Sequence, residues 1–235
     1  MGAAVKAAAE NIVCIAAEVD SRVAEGEKNA YLSFDKVEGK YDCIIDFSHP
    51  SVTDSLIKYA LQTKTPVVLC TTGLSKEQIE LVNNAAKEIP VFFSANMSLG
   101  VNLLVALSKK ATEILGDNFD IEIIEKHHNQ KVDAPSGTAV MLANAINESV
   151  EDKYEYVYER ESVRRKRDKK EIGIHSVRGG NIVGEHEVIF AGHDECISLK
   201  HCATSKEVFA VGAVNAARFV ADKPAGIYSM SDMLK

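Results

Sequence analysis

Two neighbouring stretches, Cys43-Ile44-Ile45-Asp46-Phe47-Ser48-His49-Pro50 and Pro66-Val67-Val68-Leu69-Cys70-Thr71-Thr72-Gly73-Leu74-Ser75, decide the fold. Each opens on a short apolar run and ends in polar turn residues. The runs are apolar on both faces, as expected of parallel strands covered by helices on either side. Pro50 stands where proline is tolerated, in the first turn of a helix running to about Gln62. Ser75 can cap the next helix, which runs to about Lys87. Pro90–Ser94 supplies another strand. Upstream, Ala3–Glu10 reads as an alanine-rich helix, and Ile12–Val19 as a strand followed by Asp20. Alternating strands and helices predict a doubly wound α/β domain with a parallel sheet. Ligands of such sheets bind at the carboxyl ends of the strands. Asp20, Phe47–His49, Cys70–Gly73 and Ala95-Asn96 fall there.

After Gly100 the pattern changes. Val101–Leu115 reads as a helix, Asp120–Lys126 as a strand and Thr138–Glu148 as a helix. Strands follow at Glu171–Val177, Glu187–Ala191 and Cys196–Cys202. Strands with few helices between them predict a second α+β domain with a mostly antiparallel sheet. A last helix, about Ser205–Val220, is expected to pack back on the first domain. The expected division is 1–97 with 208–235, and 98–207.

The chain has 235 residues, 46% hydrophobic and 26% charged, a composition of globular proteins. No apolar run is long enough to cross a bilayer, and no secretory leader is apparent. Five scattered cysteines without a C-x-x-C pair fit a reducing cytoplasm and read as small buried hydrophobes. The net charge of −7 disfavours nucleic acid as the main partner. The exception is Arg160–Lys170, with seven basic residues against Glu161 and Asp168. It lacks interleaved aromatics and reads as a solvated loop, with anion attraction near a site as the secondary reading.

The chemistry concentrates in Glu125-Lys126-His127-His128-Asn129-Gln130-Lys131-Val132-Asp133-Ala134-Pro135-Ser136-Gly137-Thr138-Ala139. Two histidines and two lysines follow a strand, and a Pro-Ser-Gly-Thr turn then opens a helix. Helix starts bind anions through free N–H groups and the dipole. The stretch therefore reads as a site for a small acidic molecule that exchanges a proton. Histidine suits proton transfer near neutral pH. A nearby cation such as Lys131 favours neutral imidazole, whereas a bound dicarboxylate favours imidazolium. Gly137 lets a ligand approach the main chain closely, and Asp133 can brace the loop. The remaining histidines, His49, His175, His186, His193 and His201, read as structural or exposed. His186 is the least settled, because Gly184-Glu185-His186 belongs to a pattern described next. No spacing suggests a metal site.

These residues resemble the 4-hydroxy-tetrahydrodipicolinate reductase family. The resemblance rests on Glu125–His128 with Lys131–Ala139, on Ile45–Ser48, Thr71–Gly73 and Ala95–Asn102, and on Val183–His186. It implies a Rossmann-like first domain, NADPH or NADH as coenzyme, a small cyclic dicarboxylate substrate and a homotetramer built through the second domain. It also implies His127 as catalytic acid/base and Lys131 as second proton donor. His128, Lys131, Gly137 and Thr138 would hold the substrate. Gly2, Asp20, Cys70, Thr71, Thr72, Ser94, Ala95, Asn96 and Met97 would meet the coenzyme. Asp20 stands where an acid accepts from the adenosine ribose, which suits NADH, while Arg22 suits a 2′-phosphate. Use of both is expected.

Two departures are mild: Cys70 stands where glycine is usual, and Met97 where phenylalanine is common. A dinucleotide-binding domain normally opens with a strand and a glycine-rich turn. This chain opens at Met1-Gly2, with Gly2 as the last glycine of such a turn, and Met1 reads as an internal methionine. The flanking strands are then expected to lack their shared neighbour. The competing readings are a product that binds substrate without coenzyme, and a related amino-acid-pathway dehydrogenase.

Overall fold

The computed structural model describes residues 1–23 and 28–234. It divides into two compact units, Met1–Ser98 with Glu207–Lys235, and Leu99–Lys206.

The first unit begins with α1 (Gly2–Ala9), β1 (Glu18–Val19) and β2 (Ala30–Tyr31). Alternating elements follow: β3 (Ile44–Asp46), α2 (Pro50–Thr63), β4 (Val67–Leu69), α3 (Lys76–Ala85) and β5 (Pro90–Phe93). Local chemistry sets the helix ends. The His49 ring accepts from the Ser51 N–H ahead of Pro50, and Ser75 and Gln78 form a reciprocal capping box on α3. The four-stranded sheet runs β11-β5-β4-β3, all parallel, where β11 (Gly226–Tyr228) lies far along the chain, after α6 (Glu207–Val220).

Residue alternation sends side chains to two covers, as a doubly wound sheet requires. Ile44, Val67, Leu69 and Val91 pack with Leu56, Ile57 and Val82 of α2 and α3. Ile45 and Phe47 pack with Val5 and Ala9 of α1 and Ala210 and Val214 of α6. Gly212 of α6 is obligatory, because a Cβ there would lie 1.7 Å from the Met97 carbonyl oxygen.

The expected strand Ile12–Val19 is corrected: only Glu18–Val19 pair, with Ala30–Tyr31, in a separate two-stranded sheet. Ile12 and Val13 instead turn back to the Ala9 carbonyl, and the described residues give 12–17 no ladder partner. An apolar run becomes a strand only where a neighbour takes its N–H and C=O groups. Among the described residues β3 likewise pairs only with β4. β2 and β11, with three residues or fewer each, carry too little pattern to be read from sequence.

The second unit holds α4 (Leu99–Leu115), β6 (Asp120–His127), α5 (Gly137–Glu148), β7 (Glu155–Val157), β8 (Glu171–Arg178), β9 (Gly184–Ala191) and β10 (Cys196–Ala203). Its sheet runs β10-β9-β6-β8-β7. It is mixed: β6–β9 and β9–β10 are antiparallel, and β6–β8 and the short β7–β8 ladder are parallel. Ile121, Ile123, Ile172, Ile174, Val188 and Phe190 of the sheet pack against Leu142, Ala143 and Ile146 of α5 and Leu104 of α4.

The basic run is not simply solvated. Arg160 bonds Glu122 and Glu171, Arg165 pairs with Glu171, Arg167 bonds Asp120 and Glu122, and Lys170 pairs with Asp117 and Asp152. Four of its seven basic residues are thus paired, while 161–166, 168 and 169 are exposed, as in a solvated loop. The cysteine reading is corrected as well. Cys70 is buried and Cys43 half-buried, but Cys14, Cys196 and Cys202 are exposed, the last two on the edge strand β10. No described helix is long and apolar enough to cross a membrane.

Candidate active site

Along β6 the two-residue period places Ile121, Ile123, Glu125 and His127 on one face. The two isoleucines belong to the core, and Glu125 continues into it with no exposed side chain. In register, Glu125 lies opposite Ser176 of β8 and His186 of β9, and His127 lies opposite Arg178. Three strands thus bring charged side chains to one corner, under the start of α5.

Glu125 organises that corner. Its Oε2 lies 2.6 Å from His127 Nδ1 and accepts from Arg178 Nη1 at 2.8 Å. Its Oε1 accepts from Arg178 Nη2 at 2.7 Å and from the Ser136 N–H at 3.0 Å. Burial disfavours the carboxylate, but bonds from Arg178, His127, Ser176 and the Ser136 N–H outweigh it and hold the carboxyl at about 2. Ser136 is the N-cap of α5, and its Oγ accepts from the Ala139 N–H. That Oγ also lies 3.0 Å from His186 Nε2.

The His186 ring meets the His127 ring edge-on, with centroids 5.2 Å apart. Burial, reinforced by the charge-sensitive neighbour His127, pushes the His186 imidazole down to about 4. Because the folded value lies below the unfolded one of about 6.5, the unfolded chain binds the extra proton first. His186 therefore contributes full stability above about pH 6.5 and loses it as pH falls toward 4. The loss approaches about 3 kcal/mol. Urea midpoints measured between pH 7 and 4 should fall steeply for wild type and less for His186→Gln. Equal slopes would rule the assignment out.

The loop from His128 to Ser136 is pinned at several points. Asn129 N–H donates to the Gly180 carbonyl, Lys131 N–H to the His128 carbonyl, and Arg178 Nη2 to the Asp133 carbonyl. The Lys131 ammonium sits 2.8 Å from Asp133 Oδ1, and that carboxyl lies below the usual range because Lys131 bonds it. His128 is half-buried. Gly137 is exposed with open space beside its Cα, and Thr138 follows it in the first turn of α5. Gly184 lies against His127, where a Cβ would stand 3.2 Å from Nε2.

In the first unit, the strand ends carry the other predicted residues. Thr71 donates to Asp46 Oδ2 at 2.6 Å, and the Ser48 N–H donates to Oδ1. Ser94 Oγ donates to the Asn96 carbonyl, and the Ser98 N–H donates to the Asn96 side-chain oxygen. Thr72 is exposed, and Gly73 turns with φ +77° into open space. Ala95 is exposed, whereas Cys70 and Met97 are buried. Asp20 takes three bonds from Arg22, which hold its carboxyl at about 2. Gly2 opens α1, and a Cβ on it would stand 3.3 Å from Glu18 Oε1, a carboxylate paired with Lys6. The open Thr71–Gly73 turn and the Ser94–Asn96 main chain at adjacent strand ends fit the polar rim that a dinucleotide needs. Beside Gly2, a phosphate would have to displace the Glu18 carboxylate.

Sequence reading did not assign Glu125, Ser136, Arg178 or His186 to the site. Glu125 could have been found from its i, i+2 relation to His127 on one strand. Arg178 and His186 could not, because only strand register brings them to β6. Among the described residues, no group of three or more His, Cys, Asp or Glu is placed to hold a metal ion.

A parallel sheet with polar strand ends in one unit, and a buried Glu–Arg–His cluster beneath a helix start in the other, define a two-unit α/β enzyme. Family models described as dihydrodipicolinate reductase, N-terminus and C-terminus, match residues 1–97 and 100–234. The chain belongs to the dihydrodipicolinate reductase family. It is 56% identical over 193 residues to the 4-hydroxy-tetrahydrodipicolinate reductase of Clostridium tetani, covering 82% of this chain and 75% of that protein. It is 50% identical over 221 residues to the enzyme of that name from Caldanaerobacter subterraneus subsp. tengcongensis, covering 94% and 88%. A dipicolinate-bound dihydrodipicolinate reductase from Paenisporosarcina sp. TG-14 has the same fold, with TM-score 0.76 at 23% identity over 97% of this chain and 92% of that one.

Proposed function

We propose that the chain reduces 4-hydroxy-tetrahydrodipicolinate to tetrahydrodipicolinate, in lysine and diaminopimelate biosynthesis. The curated relatives at about 50% identity support this activity. One observation carries the site reading: a single buried carboxylate, Glu125, bonds both the His127 ring and the N–H that opens α5. The proton-transfer group and the anion-binding helix start are thereby held as one piece.

A cyclic dicarboxylate needs cationic and N–H partners. Lys131 offers an ammonium whose present partner, Asp133, is half exposed and readily displaced. Gly137 and Thr138 offer main-chain N–H groups at the mouth of α5, where the dipole favours an anion. His128 stands beside them as a further donor. His127 delivers a proton from Nε2, the ring nitrogen turned away from Glu125. Lys131 serves as second proton donor.

The family generally uses a reduced nicotinamide dinucleotide, which when bound supplies the hydride. We assign it to Gly2, Asp20, Cys70–Thr72 and Ser94–Met97 of the first unit, with NADH and NADPH both accepted. The first unit (1–97 with 208–235) then serves the coenzyme, and 98–207 serves substrate and assembly. The resemblance supports a homotetramer in the cytoplasm. The net charge of −7 supports a protein whose main partner is not nucleic acid.

Calorimetric titration with pyridine-2,6-dicarboxylate, a flat mimic of the ring, tests this reading. With excess NADPH, wild type should bind it. Lys131→Ala should bind roughly 10- to 100-fold more weakly, the worth of a hydrogen bond to a charged group. No heat with wild type would refute the site.

A further inference from the structure

We infer that Glu125 is the positioning residue for His127, fixing which ring nitrogen carries the transferable proton, and that Arg178 holds Glu125 for that task. The inference deepens the proposed function and rests on His127 being its acid.

The geometry supplies the reason. An ionised carboxylate only accepts hydrogen bonds. Facing Glu125 Oε2 at 2.6 Å, His127 Nδ1 must therefore be the N–H nitrogen. Nε2 is left to gain and lose the proton, beside Gly184, whose missing side chain would otherwise crowd it at 3.2 Å. Both carboxylate oxygens take two donors: His127 and Arg178 on one, Arg178 and the Ser136 N–H on the other. The bidentate guanidinium fixes the carboxylate plane. Glu125 is wholly buried, so it acts on substrate only through the ring.

Charge alone is a weak explanation. The groups facing His127 are Glu125 on its own strand, Arg178 on β8, His186 on β9 with His201 beyond it on β10, and Lys131 with Asp133 in the loop. Arg178 offsets the Glu125 charge at close range, and Asp133 offsets Lys131. What survives is the direction of the bond. The neutral ring is held with its proton on Nδ1, and the imidazolium keeps an acceptor there while Nε2–H points outward.

Glu125→Gln tests this with little change in volume. Its amide NH2 must replace one oxygen. Placed toward Ser136, it would oppose two donors that cannot change, the Ser136 N–H and an Arg178 N–H. Placed toward His127, it opposes one fixed donor, because the ring can shift its proton to Nε2 and accept at Nδ1. The variant should therefore hold the wrong tautomer. By analogy with a carboxylate-to-amide change beside a catalytic histidine, kcat should fall about 10²- to 10⁴-fold, with KM changed far less. Glu125→Asp should restore part of the rate, since the acceptor returns.

A second measurement does not depend on the variant folding. In wild type labelled with ¹⁵N-histidine, the resonance missing from His127→Ala should show the neutral ring protonated on Nδ1. If His127→Ala itself turns over at the wild-type rate, the function reading fails first. If His127→Ala is slow, this inference is overturned by either of two results. One is a wild-type neutral ring protonated on Nε2; the other is a folded Glu125→Gln enzyme with unchanged kcat.

Discussion

His127→Ala should lower kcat for reduction of 4-hydroxy-tetrahydrodipicolinate by about 10²- to 10⁴-fold, the usual worth of a positioned general acid. The ring is mostly enclosed, and its one strong partner is Glu125. Removing it leaves that carboxylate with its other donors, two from Arg178 and one each from Ser136 and Ser176. The buried charge stays compensated, so the fold should survive with a melting temperature within a few degrees of wild type. The substrate contacts proposed for Lys131 and the α5 start are untouched, so KM should change far less than kcat. Steady-state nicotinamide absorbance and a thermal melt check both halves. An unchanged kcat in a folded variant would remove His127 from the chemistry.

Arg178→Met should have the largest effect on stability, about 3 kcal/mol, at the low end for breaking a buried ion pair. Glu125 has no exposed surface from which water could replace the guanidinium. It would keep the weaker donors His127, Ser176 and the Ser136 N–H, and Asp133 would lose the donor on its carbonyl. The folded carboxyl lies at about 2 in wild type, below the usual value near 4.5. Its stabilising contribution is therefore present above about pH 4.5 and is lost as pH falls toward 2. In Arg178→Met that acid-sensitive contribution should shrink. Urea unfolding at pH 7 measures the main loss. The double variant Glu125→Gln/Arg178→Met should recover part of it, because neither partner then leaves a buried charge behind. A double variant less stable than Arg178→Met would mean that the pair is not the source.

Much of the fold was legible along the chain. α2, α3, α4, α5 and α6 fall within a few residues of their predicted ends, and Pro50, Ser75 and Ser136 mark the starts of α2, α3 and α5 chemically. Strands β3 to β6 and β8 to β10 were legible from apolar runs, most of them bounded by turn residues. Ile12–Val19 misled for a physical reason. Apolarity shows that a run can be buried, but a ladder forms only where a second strand supplies donors and acceptors. The basic run is the exposed loop its composition suggested, but the acids that pair with four of its seven basic residues, Asp117, Asp120, Glu122, Asp152 and Glu171, belong largely to other elements and could not be read from it.

The chain alone determined the architecture, the family, and the segment from Glu125 to Thr138 in which the proposed chemistry resides. Those signals are local: alternation, caps, and a histidine-lysine-glycine order within one turn of chain. Only the tertiary structure decided that Arg178 and His186 share a corner with His127 and Glu125. Contacts between residues some fifty positions apart depend on strand register, and register is set by the packing of a whole sheet rather than by any window of sequence.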